Sequence, residues 1–267
     1  MVFGKGLDKS PKNFIFVYSM ASIHTFSLQM PQLGRARTVR VLLPRNYDRH
    51  LDRRFPVIYL QDGQNLFEAK TAAFQPWRLP RVMERQPLYR QAILVGIDHG
   101  GIDRIHEYAP FRRGHHGGQG DAYLRFVTET LKPQIDQRYR TWPHREATAI
   151  VGSSMGGLIA FYAALRYPQI FGKAGVLSPS LWFNPKVVDL VAQAGLPKAQ
   201  VYVVGSKTES RGMETGLQKV YWAFKQAGFS DEELRVVLRD RGGHTEAFWR
   251  REFVGMYEWL FPRTVLG

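Results

Sequence analysis

The segment Gly152-Ser153-Ser154-Met155-Gly156-Gly157 constrains this chain more than any other. It sets a G-x-S-x-G pattern between the apolar runs "ATAIV" and "LIAFYAALRYP". The first run has the length and β-branching of a buried strand, the second the length of a helix. A serine on a sharp strand-to-helix turn exposes its hydroxyl and aims the next residue's amide at the same point. So tight a turn needs small residues two before and two after the serine, and both are glycine. Ser154 is therefore the candidate nucleophile. The plainer alternative is a glycine-rich turn in which a serine caps a helix. With 25 glycines in the chain the pattern alone carries little weight, and its flanking elements carry the inference.

The rest of the chain repeats the strand-then-helix order. Residues Ile23 to Leu28 and Thr38 to Pro44 alternate apolar and polar positions, as half-buried strands do. "FPVIYLQDGQNLF" and Ala92 to Asp98 are continuous apolar runs ending in turns, the mark of central strands. A loop rich in glycine and histidine follows, then a helical stretch from Asp121 to Gln137. After the Ser154 to Arg166 helix come the strands "AGVLSPS" and "QVYVVGS", each followed by a helical pattern. "LRVVLRD" is the last strand, before the helical "HTEAFWRREFVGMYEWLF". Such alternation predicts a mostly parallel sheet with helices on both faces. Right-handed crossovers put the loop after every strand on one edge of that sheet. Antiparallel-looking first strands followed by parallel ones match the α/β-hydrolase plan.

At 267 residues and 44% hydrophobic, with no repeat or low-complexity linker, residues 22–267 read as one domain. Residues 1–21 read as an extension. Lys5, Lys9 and Lys12 before "FIFVYSMASI" imitate a signal peptide, but the apolar run is too short to span a bilayer. Met20 is an alternative start. The absence of cysteine excludes a disulfide framework and thiolate metal sites, and fits a cytoplasmic setting. The formal charge of +14 favours an anionic small-molecule partner by long-range attraction, against the plainer reading of an arginine-rich surface. No zinc finger, aromatic RNA-binding strand or basic helix points to specific nucleic-acid binding, and nothing in the chain specifies an oligomeric state.

A serine hydroxyl at neutral pH needs a base. Among eight histidines, His244 follows the last strand at the head of the last helix, where the chain order serine, acid, histidine places it. The acid belongs after "QVYVVGS", and Glu209 is the choice there. Asp231, Asp240 and Glu214 compete, and a Ser154–His244 dyad without an acid is a further alternative. An oxyanion needs two donors. The amide of Met155 supplies one, and that of Gln64, in the "QDGQNLF" turn, the other; Asp62 braces this turn. No ligand set suggests a metal, and no cofactor is required.

Together these stretches, with "RIHEYAPF", "SPSLWF" and "GGHTEAFW", resemble the putative-esterase family of α/β hydrolases, which includes esterase D and enterochelin esterases. The resemblance runs from Ile23 to Phe261. It implies Ser154 as nucleophile, His244 as base and Gln64 as oxyanion donor, with Glu209 a less constant match. Trp77 and Phe74, after the oxyanion turn, and Trp182, in "SPSLWF", are candidates to line a substrate pocket, or else to pack as core or lid. Arg104, Glu107 and Tyr108 are expected to brace the active-site loops by an ion pair. The implied activity is carboxylic-ester hydrolysis through an acyl-enzyme. Acyl transfer, hydrolysis of a siderophore trilactone and a non-catalytic binding role are the alternatives.

Overall fold

The structure, a computed structural model, describes residues 22–262; the expected N-terminal extension lies outside them. Eight strands form one sheet: β1 (Ile23–Met30), β2 (Arg35–Leu42), β3 (Val57–Gln61), β4 (Ile93–Ile97), β5 (Thr148–Ser153), β6 (Lys173–Leu177), β7 (Gln200–Ser206) and β8 (Leu234–Arg239). Their spatial order is β1-β2-β4-β3-β5-β6-β7-β8. β1 pairs antiparallel with β2, and β2 with β4. Every other neighbouring pair is parallel. The three apolar runs that became β3, β4 and β5 are buried along their whole length, because helices cover both faces of a parallel sheet.

Those helices are α1 (Leu79–Glu84), α2 (Arg104–Glu107), α3 (Gly120–Arg125), α4 (Lys132–Arg138), α5 (Met155–Arg166), α6 (Met213–Gln226) and α7 (Glu246–Leu260). One core unites the sheet with α3 to α6 through Tyr123, Leu158, Phe161, Leu217 and Phe224. The opposite face packs on α1 and α7 through Leu79, Met83, Phe253, Met256 and Leu260. This is the α/β-hydrolase fold.

The structure departs from the sequence reading at three places. The Asp121 to Gln137 helix runs from Gly120 to Arg138 with a π-helical segment, Phe126–Leu131, in its middle. Pro133 has no N–H to return to the carbonyl four residues earlier, so the regular ladder breaks there. After β6 the helical pattern forms a 3-10 helix, Pro185–Gln193. The last helix begins after Thr245, whose Oγ1 accepts from Phe248 N–H, so His244 lies just outside it. Because β3 to β8 are parallel, the loops after all six open on one edge.

Candidate active site

Ser154 has φ 58° and ψ −122°, a left-handed conformation that a non-glycine residue adopts only when its surroundings hold it. The glycines of the hexapeptide leave the room that so tight a turn needs. A Cβ on Gly152 would overlap the carbonyl of Gly156, and one on Gly156 would sit 2.8 Å from the Gln61 side chain. The Ser154 amide is bonded to the Leu177 carbonyl at the end of β6. Its hydroxyl is thereby presented at the carboxyl edge.

Two loops bring partners to it. His244 Nε2 lies 2.9 Å from Ser154 Oγ, and His244 Nδ1 lies 3.2 Å from Glu209 Oε2. The Glu209 side chain is fully buried, whereas that of His244 is 42% exposed. The two loops are stitched together by Thr208, whose Oγ1 donates to the Gly242 carbonyl at 2.7 Å and accepts from the Gly242 amide at 3.0 Å. Two of the competing acids are paired elsewhere, Asp240 with Lys207 and Asp231 with Lys225, both in open solvent, and Glu214 stands in the first turn of α6.

The loop after β6 contributes two residues that sequence reasoning passed over. Ser180 Oγ lies 3.3 Å from Ser154 Oγ, and its amide donates to the Ser154 carbonyl. Ser178 accepts a 2.9 Å hydrogen bond from the Trp249 indole, whose ring stands perpendicular to the His244 imidazole with centroids 4.9 Å apart. The repeated serine in "SPSLWF" was the available signal, but only the folded chain shows that both face the site.

On the other side, Asp62 also adopts a left-handed conformation, φ 57°, ahead of the 3-10 turn Gly63–Asn65. Gln64 and Met155 thus both occupy first turns, where helix amides lack an intrahelical acceptor. The Gln64 side chain accepts from the His99 amide, and its carbonyl accepts from Thr71 Oγ1. Burial pushes the His99 imidazole below its ordinary pKa, and Asp62 only partly offsets this.

The candidate pocket residues are placed differently from one another. Phe74 and Trp182 are exposed. Trp182 lies under the Arg113 guanidinium, 5.3 Å from the ring centre. Trp77 is buried against Trp249 and Phe253, so it adjoins the histidine side of the site through Trp249. A groove of ≈ 1590 Å³ lies between the 3-10 helix after β6 and α6, and Ser154 and His244 are not among its lining residues. Among the described residues no helix is long and apolar enough to cross a membrane.

Residues 30–260 match the family described as "Putative esterase", and the chain belongs to that family of ester-hydrolysing enzymes of the α/β-hydrolase type. It is 28% identical over 228 residues to the uncharacterized protein YbbA of Bacillus subtilis, covering 78% of this chain and 86% of YbbA. It is 26% identical over 155 residues to the iron(III) salmochelin esterase of Escherichia coli O6:H1, covering 57% of this chain and 34% of that protein. A ferulic acid esterase structure superposes with a TM-score of 0.71 at 21% identity, covering 91% of this chain and 99% of that one.

Proposed function

We propose that the protein hydrolyses a small-molecule carboxylic ester by two-step acyl transfer on Ser154. The hydrogen-bonded line from Ser154 Oγ through His244 to Glu209 carries this reading. With the proton on Nδ1 donated to Glu209, Nε2 is free to take the Ser154 proton as Oγ attacks the ester carbonyl. The amides of Met155 and Gln64 stabilise the resulting oxyanion. Collapse breaks the ester C–O bond, and the alcohol leaves with the proton from His244. Water then loses a proton to His244, attacks the acyl-enzyme and releases the acid, returning the proton to Ser154. Phe74 and Trp182 would flank the bound substrate, with Trp77 behind them.

A narrower second reading, an anionic siderophore ester, has a specific observation in its favour. A pocket beside Trp182 is lined by Arg112, Arg113 and Lys186 with no carboxylate among them, and a salmochelin esterase is among the relatives. The cysteine-free composition suits action in the cytoplasm.

Treatment with a fluorophosphonate followed by intact-mass measurement tests the assignment. One adduct is expected on the wild type and none on Ser154→Ala or His244→Ala, with ester turnover lost in both. A folded wild type that takes no adduct would overturn it.

A further inference from the structure

Asp62 holds a left-handed conformation that costs a non-glycine residue about 1–3 kcal/mol, so something must maintain it. The side chain supplies part of the restraint. Its two oxygens accept from Arg104 Nε at 2.7 Å and Nη2 at 2.8 Å, a bidentate pair of the kind that fixes orientation as well as position. The backbone supplies the rest. The Asp62 amide donates to the Tyr108 hydroxyl at 3.2 Å, and its carbonyl accepts from the Asn65 amide at 2.9 Å. Arg104 also stacks over the Tyr108 ring, 5.2 Å from its centre.

The turn has no room to settle elsewhere. A Cβ on Gly63 would lie 2.6 Å from the Gly96 carbonyl carbon, so the turn is pressed onto β4. A Cβ on Gly156 would lie 3.2 Å from Asp62 Oδ2, so the carboxylate abuts the first turn of α5 immediately after Ser154. The charge is strongly held there. Burial works against the Arg104 cation, but the attraction and hydrogen bonds of Asp62 outweigh it and raise its pKa above the ordinary arginine value. Tyr108 is fully buried, and burial together with the Asp62 charge keeps its hydroxyl protonated.

We infer that Arg104 and Tyr108 are positioning residues. Through Asp62 they fix the turn that presents the Gln64 amide, and Arg104 neutralises a carboxylate that would otherwise repel the oxyanion. The inference rests on the acyl-transfer reading of Ser154. It differs from a substrate-anion role for Arg104, which would act on the binding of charged esters alone.

The test compares wild type with Arg104→Met, Arg104→Lys, Tyr108→Phe and the double variant Arg104→Met/Asp62→Asn. Each is checked for folding by near-UV circular dichroism and assayed on neutral p-nitrophenyl acetate and an anionic hemisuccinate ester. Arg104→Met is expected to lower kcat about 10- to 100-fold on both esters, the scale of a displaced oxyanion donor, with KM almost unchanged. Arg104→Lys should recover part of that loss. The double variant should exceed Arg104→Met, because it removes the unpaired carboxylate. Tyr108→Phe should lower kcat several-fold with KM unchanged, and it decides the matter if Arg104→Met does not fold. Wild-type kcat in folded Arg104→Met or in Tyr108→Phe, or a KM increase confined to the anionic ester, would overturn the inference. Fluorophosphonate labelling of the wild type separates the two readings. A labelled wild type with undiminished variants sinks the clamp alone, whereas an unlabelled and inactive wild type sinks both.

Discussion

Glu209 is the residue whose role is hardest to read without neighbours, and the one whose surroundings say most. Its buried carboxylate has Oε2 on His244, and Oε1 has no hydrogen-bonding partner among the described residues. Glu209→Gln is expected to lower kcat by about 10²- to 10⁴-fold, because the amide can hold the wrong histidine tautomer and cannot stabilise imidazolium. Asp240→Asn should stay near wild type, since its carboxylate pairs with Lys207 in solvent. Steady-state rates on p-nitrophenyl acetate check both. Glycine spacing singled out Ser154 as the candidate because the steric demand of the elbow is local. The acid loop makes no comparable demand, so the sequence leaves four carboxylates open, and of these the structure brings Glu209 to within 3.2 Å of His244.

Among the elements, β6 carries a cost as well as a function. It delivers Ser178 and Ser180 to the site, and it begins with Lys173. The Lys173 ammonium is hydrogen-bonded to the Gln200 side chain at 2.6 Å and lies over the Phe261 ring. Burial depresses its pKa to about 8. The unfolded chain releases this proton near pH 10.5, so between about pH 8 and 10.5 it binds more protons than the folded chain, and stability from this group rises with pH across that window. At pH 7 both states are protonated and the full burial cost stands. Lys173→Met is therefore expected to stabilise the fold by about 1–3 kcal/mol at pH 7, with the gain shrinking toward pH 10. Urea unfolding of both proteins at the two pH values measures this. Period-two and period-3.6 patterns located the elements, but the π-helical segment and the 3-10 helix after β6 escaped them. Both are set by the pattern of backbone hydrogen bonds rather than by which face is apolar.

For the whole molecule, the sequence carries a formal charge of +14. Exposed charges act through solvent and are screened over about 8–10 Å at physiological salt. Raising the salt concentration is expected to lower kcat/KM for an anionic ester while leaving that for a neutral ester of the same alcohol nearly constant. Stopped-flow or steady-state rates at several ionic strengths check it, and equal salt effects on both esters would remove substrate steering as a use for the charge. The groove between α6 and the preceding 3-10 helix is not lined by Ser154 or His244, so its size is no guide to where the chemistry lies.

The alternation of strands and helices, the elbow glycines and the position of His244 after the last strand were legible in the chain. Each reflects a local rule of periodicity, steric room or chain order. The parallel register then obliged the loops after β3 to β8 to share one edge. Other features existed only once those loops met: the Thr208–Gly242 stitch behind Glu209, the contact of Ser180 with Ser154, the Ser178–Trp249 support of His244 and the Arg104–Asp62–Tyr108 clamp. Apart from the stitch's Thr208, adjacent to Glu209, and the neighbouring Arg104 and Tyr108, these groups lie far apart in the chain. Side-chain hydrogen bonds between distant segments leave no period in a sequence, so only the tertiary structure could assemble them.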